Sequence, residues 1–214
     1  MAHFEKFTEH HIAVGAGAGA GGGLGLNAPG AVPKVKNFAV GGGKKSGPAL
    51  DPEVEAAWKQ LIADDSEVDW MIATYDASGK SVALSQKGEG MSLTNFCAAL
   101  GETEGCAWGG FRCNGVDNRG ALVCKRPKFV FVQYMPPTAP AMRRAKMGSH
   151  KGALKAALDG AHMDVLVENI EEDLEKNALC SKLQAATGAH KPNGYEFDKD
   201  EITDADYYKD VAPK

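Results

Sequence analysis

The most restrictive feature of this 214-residue chain is the run Phe129 to Met135, FVFVQYM, closed by Pro136, Pro137 and Pro140 and followed by helix formers from Ala141 to Leu158. β-branched and aromatic residues occupy both alternating faces of the run, so it reads as a strand covered on both sides. The prolines stop the strand, and Pro140 falls where a helix accepts proline, in its first turn. Met142, Met147, Leu154 and Leu158 are the apolar positions of the helix, and Met163 to Val167 reads as another strand. A strand, a helix and a second strand in that order require a right-handed crossover and a parallel strand pair.

The remaining elements follow from local signals. Asp51-Pro52 opens a helix, with Asp51 as cap and Val54, Trp58, Leu61 and Ile62 on one face. Val68 to Tyr75 and Ser81 to Ser85 form a hairpin about the turn Asp76 to Gly79. Ser92 caps a second helix to Leu100 with Leu93, Phe96, Cys97 and Leu100 on its apolar side. Ala107 to Cys113 is a strand, Asn114 to Arg119 a polar loop, and Ile170 to Ala186 a final helix carrying Ile170, Leu174, Ala178 and Leu183. The expected fold is α+β in α/β/α layers: a five-stranded mixed sheet flanked by helices on both faces. It occupies 51–188, between a flexible Gly-rich extension over 1–50 and an acidic tail over 189–214. From Glu196 that tail holds seven acids against three Lys, and should be mobile or lie on a basic surface.

Charge is distributed unevenly. The chain carries a net −4, yet between Asn118 and Leu158 there are nine Lys or Arg and no Asp or Glu. A basic strand and helix in an acidic protein point to an acidic partner. The exposed segment from Ala139 to Lys155 has no aromatic residue to stack on bases, which argues against nucleic acid. Anionic phospholipid head groups stay compatible with the same face. Five Cys without a CxxC pair read as reduced thiols, with Cys97 and Cys113 in the core. His150 and His162 lack a second ligand at metal spacing and default to surface polar residues. No nucleophile–base motif is present, so neither catalysis nor a cofactor is expected. Gly15 to Gly25 contains GxGxxG matches without a flanking strand and helix, and Gly43-Lys44-Lys45-Ser46 departs from a phosphate loop at Lys45. Phe4, Phe7 and Ile12 stand as either a short docking peptide or part of a fraying tail.

The segments Lys125-Arg126-x-Lys128-Phe129 and Arg144-Ala-Lys-x-Gly148-x-x-Lys151, supported by Trp70, Tyr75-Asp76 and Glu171-Glu172-Asp173, resemble the actin-depolymerising-factor homology family, and within it the coactosin-like proteins. The likeness covers about residues 51–188. It implies a monomeric cytoplasmic and cytoskeletal protein that binds actin filaments and is not an enzyme. A Lys just before the central strand is important for filament binding in coactosin-like proteins, and it falls on Lys128. The helix of the second motif is the usual actin-facing element, which makes Arg143, Arg144, Lys146 and Lys151 contact candidates beside Lys125 and Arg126. Met142 and Met147 are either adaptable contacts or core residues, and Met147 is carried as a candidate contact.

The helix also resembles that of cofilins in Ala139-Pro140 and Ser149-x-Lys151, but it has Ala145 where cofilins carry Met. Cofilins further need a short N-terminus beside the first helix, whereas about 50 residues precede it here. Both departures favour decoration of filaments over severing and depolymerisation, and residues 51–188 are expected to bind about as well as the whole chain. The alternatives are a cofilin-like depolymeriser and a phosphoinositide-binding module that uses the same basic face.

Overall fold

The computed structural model describes residues 47–119, 122–188 and 191–205. The Gly-rich runs before Gly47, the aromatic N-terminal residues, the Gly43–Ser46 motif and the acids beyond Ala205 lie outside the described residues.

In chain order the elements are β1 (Ala49–Leu50), α1 (Pro52–Ile62), β2 (Val68–Tyr75), β3 (Ser81–Glu89), α2 (Leu93–Gly101), β4 (Ala107–Arg119), β5 (Leu122–Tyr134), α3 (Ala141–Ala157), β6 (Met163–Val167), α4 (Ile170–Asp173), α5 (Lys176–Ala186), β7 (Gly194–Asp198) and β8 (Glu201–Asp204). The sheet is mixed, as expected, and its main path runs β1-β3-β2-β4-β5-β6. β5 and β6 pair in parallel, Val130 opposite Met163 through Tyr134 opposite Val167, which is the crossover that the proline-flanked run demanded.

Side-chain alternation along the strands divides the core into two layers. On one face Trp58 and Leu61 of α1 and Met147, Leu154 and Leu158 of the α3 region pack on Met71, Trp108 and Phe131. On the other face Phe96 and Leu100 of α2 and Leu179 and Leu183 of α5 pack on Phe111, Val130 and Val132. Phe131 stacks on Trp108 at 5.7 Å and meets Trp58 edge-on at 5.9 Å. The Trp58 ring lies directly over Gly110, where an added Cβ would stand 2.3 Å from Cζ3 and 3.0 Å from the Val130 carbonyl oxygen. Arg112 joins α1 to the sheet by donating to the carbonyls of Leu61 and Ala63, and its guanidinium lies 5.5 Å from the centre of the Phe129 ring.

Four sequence expectations are corrected. The sheet has eight strands among the described residues, not five. Asn114 to Arg119 is not a loop but the outer half of β4, paired residue for residue with Leu122 to Pro127. Its polarity therefore does not mark irregular backbone, and Gly115, Val116 and Asp117 within it are buried. The last helix is two, because the Glu175 side chain accepts a hydrogen bond from the Ala178 N–H at 2.8 Å and caps α5, closing α4 one turn after it starts. The segment read as an acidic tail contributes β7 and β8 to the sheet: Asn114, Gly115 and Val116 pair with Glu196, Tyr195 and Gly194, and Tyr195 and Phe197 are fully buried. The folded unit therefore runs past 188 to Ala205, itself buried. Asp198 secures this addition. It accepts from Ser92 Oγ (2.9 Å) and the Thr94 N–H (3.1 Å) at the start of α2, and pairs with Lys176 of α5 at 2.9 Å.

Candidate functional site

α3 begins on backbone geometry alone: Pro140 is its N-cap with no side-chain cap bond, and its carbonyl accepts from Arg143 and Arg144. No acid sits in the first turn, and Lys155 in the last turn suits the negative end of the helix dipole. Met147 and Leu154 anchor the helix. Met147 has no solvent exposure and cannot touch a partner, so its assignment as a contact is corrected, whereas Met142 is 83% exposed. The reason is helical phase: five residues of α3 turn through about 500°, which sets the two methionines on different faces.

Two stripes of cations leave this buried seam. One faces β6. Arg144 pairs with Glu168 at 2.6 Å, and Lys151 and Lys155 share Asp164 at 3.8 and 2.8 Å. The other faces the turn between β2 and β3. Arg143 donates to the Ala77 carbonyl at 3.4 Å, and an ideal Cβ on Gly79 (φ 65°) would lie 3.2 Å from Lys146 Nζ. Tyr75 Oη and His150 Nδ1 are hydrogen-bonded at 3.0 Å below them, and burial raises the Tyr75 hydroxyl to a pKa of about 12. Tyr75, Ser78, Gly79, Met142, Arg143 and Lys146 line a groove of about 440 Å³ here.

The second patch is the β4–β5 hairpin. Lys128 stands opposite Cys113 and Arg126 opposite Gly115, so alternation puts both on one face, where with Asp117 and Pro192 they line a small crevice. Lys125 points to the other face and gives its ammonium to Glu196 at 2.7 Å. Next to Lys128, the Phe129 N–H donates to His162 Nδ1 at 3.1 Å. Burial, then the charge of Lys128, lowers the His162 pKa and so favours the neutral ring that can accept this bond. Each histidine thus carries a structural hydrogen bond, His162 with the Phe129 backbone and His150 with Tyr75.

The basic run is therefore two patches and not one face. Six residue steps, about 20 Å of strand, run from Lys128 to the end of β5 at Tyr134, and a further connection precedes α3 at Ala141. Among the described residues, Arg126, Lys128, Arg143 and Lys146 have no carboxylate within salt-bridge distance, while Lys125, Arg144 and Lys151 do. The pairs of Arg144 and Lys151 are half exposed and worth about 0–1 kcal/mol, so an acidic partner can compete for them. The sequence reading missed Arg112 and Glu196. Both are charged residues whose roles depend on strands that meet only in the fold. Burial, as largest cause, raises the Cys97 thiol to a pKa of about 11, leaving it unreactive, and among the described residues no group of His, Cys, Asp and Glu is placed to hold a metal.

Known proteins agree with this architecture. The NMR structure of human coactosin-like protein superposes with a TM-score of 0.53 at 21% identity, covering 67% of this chain and 92% of that one. The crystal structure of coactosin from Entamoeba histolytica gives 0.56 at 22% identity, covering 66% and 97%. In sequence, coactosin of Dictyostelium discoideum is 23% identical over 137 residues, 64% of this chain and 89% of its own length. Drebrin-like protein B of Xenopus laevis is 27% identical over 156 residues, 73% of this chain and 37% of the relative, so the chain spans little more than a third of that protein. The profile of the cofilin/tropomyosin-type actin-binding proteins matches residues 47–184, well over half of the sequence, and the chain belongs to that family.

Proposed function

We propose that this protein binds along actin filaments through two basic patches, Arg126 with Lys128 on the β4–β5 hairpin and Arg143 with Lys146 on the first half of α3, and decorates filaments without severing them. The supporting observation is the set of four cations without carboxylate partners among the described residues, in a chain of net charge −4. Charge that the fold does not use internally is available to an acidic surface, and placing it in two patches sets orientation as well as attraction. Arg144 and Lys151 join as outer contacts once their exposed pairs exchange. Met142, projecting from the groove beside Arg143, adds adaptable apolar contact.

Decoration is favoured over severing by residues of α3 and by the path of the chain into α1. Ala145 supplies only a methyl group where the family's severing members carry a longer side chain. The chain enters α1 from β1, paired in parallel with β3 at Ala49–Ser81 and Leu50–Val82, so the segment before the helix is bound to the sheet edge. Filament co-sedimentation across a salt series, together with microscopy of single labelled filaments, tests this. Bound protein with filament lengths unchanged is the expected result, whereas fragmentation on addition would overturn the decorating mode. Absence of co-sedimentation at low salt would overturn filament binding itself.

A further inference from the structure

Glu196 is the most deeply buried charged residue among those described, 1% exposed. Its carboxylate accepts three hydrogen bonds: from Lys125 Nζ at 2.7 Å, Asn114 Nδ2 at 2.8 Å and the Asp200 N–H at 2.9 Å. Lys125 belongs to β5 and Asn114 to β4, so a single carboxylate from β7 grips both strands of the basic hairpin. It does so where the hairpin has left the rest of the sheet. The β2–β4 ladder ends at Phe111, and from Asn114 to Val116 the open edge of β4 is covered by β7 alone. β7 in turn cannot shift freely, because Asp198 ties its far end to Ser92, Thr94 and Lys176.

We infer that Lys125 is a positioning residue and not a filament contact: its ion pair with Glu196 latches the C-terminal β7–β8 hairpin to the β4–β5 hairpin and fixes the pose in which Arg126 and Lys128 meet actin. The inference rests on the filament-binding reading above. For Lys125 to reach a partner it would have to abandon a carboxylate with almost no access to water, and an uncompensated buried charge costs far more than an exposed ion pair returns. Lys151 and Lys155 differ, since Asp164 is partly solvated and can be released cheaply. The latch makes Glu196 an internal complement to the basic hairpin, while Asp198 and Glu201 pair with Lys176 of α5. The hydrogen bond that Lys125 donates to Glu196 raises the Lys125 pKa and keeps the ammonium charged.

The test uses the full chain carrying Lys125→Met, Glu196→Gln, or both. Two measurements are made: filament affinity across a salt series, and amide hydrogen exchange of the free protein over residues 114–118 and 123–128. Each single change should weaken filament binding about tenfold, and the double change no further, as expected of two groups acting through one interaction. The slope of log affinity against log salt should not change, because the contacting cations remain, and exchange across the hairpin should accelerate. A shallower slope for Lys125→Met together with parental binding by Glu196→Gln would make Lys125 a direct contact and overturn the inference. Unchanged exchange and affinity in Glu196→Gln would overturn it too. If Glu196→Gln does not fold, Lys125→Met is read by the same criteria. If the parent protein fails to bind filaments, the functional reading falls, while hydrogen exchange still decides whether the latch orders the hairpin.

Discussion

Phe197→Ala tests whether the C-terminal strands belong to the cooperative core. Phe197 has no exposure, and its ring stacks on that of Tyr195 at 6.0 Å with an interplanar angle of 23°. It lies in the layer shared with Phe96, Phe111, Val130 and Leu183. Truncating a buried Phe to Ala costs about 3–5 kcal/mol, because a cavity is added to the lost transfer energy. A domain of this kind has a total stability of about 5–15 kcal/mol. With a urea dependence of about 2 kcal/mol per M, a loss of 4 kcal/mol lowers the unfolding midpoint by about 2 M. Urea denaturation followed by tryptophan fluorescence and by far-UV circular dichroism provides the measurement, and both probes should move together. A midpoint within about 0.3 M of the parent would refute the assignment of β7 to the core. The same reasoning reverses an expectation drawn from the sequence. A fragment of residues 51–188 loses Tyr195, Phe197, Ala205 and the Glu196 carboxylate together, and should unfold, so that it does not retain the filament binding proposed for the full chain.

Lys128→Glu should abolish most filament co-sedimentation while leaving the circular dichroism spectrum intact, because a half-exposed cation adds little to stability and a reversed charge facing an acidic surface costs on the order of several kcal/mol. Affinity should fall steeply from low to moderate salt, since exposed charge contacts are screened within about 8 Å at physiological ionic strength, and a flat profile would point to an apolar interface. Gly110→Ala should cost about 1–3 kcal/mol by driving a methyl group into Trp58 and the Val130 carbonyl, read as a lower melting temperature. Acid should loosen the C-terminal hairpin first. Burial raises the pKa values of Glu196 and Asp198, but donors from Asn114 and Lys125 on one and from Lys176, Thr94 and Ser92 on the other outweigh it and hold both below the usual carboxylate range. Stability from these depressed pKa values is present above the ordinary carboxylate pKa of about 4 and is lost as pH falls through the folded-state values. Glu196→Gln should therefore flatten the acid limb of the stability profile, and an unchanged limb would remove Glu196 from that role.

Some of this protein is decided by residues that are near neighbours in the chain. Ser92 caps α2 with its own hydroxyl, accepting from the Asn95 N–H at 3.1 Å, and the prolines after Met135 end β5 with no help from elsewhere. Val68–Tyr75 and Met163–Val167 have the observed bounds because short runs of mostly apolar and β-branched residues between polar or turn-forming segments are themselves the signal for a strand. The concentration of cations around β5 and α3 is likewise a property of sequence. Which cations are available is not. Lys125 is occupied by a carboxylate 71 residues away and Arg144 by one 24 residues away, pairings that exist only after β7 has added to β4 and β6 has docked beside α3. Met142 and Met147 are chemically alike, and only the docking of α3 onto the α1 side of the sheet makes Met147 a core residue and leaves Met142 exposed. The outer half of β4 and the strands β7 and β8 are hidden in polar and acidic composition for the same reason. Tyr195 and Phe197 apart, these strands offer little apolar surface of their own and are specified by the backbone edge they join, which forms only when the sheet does.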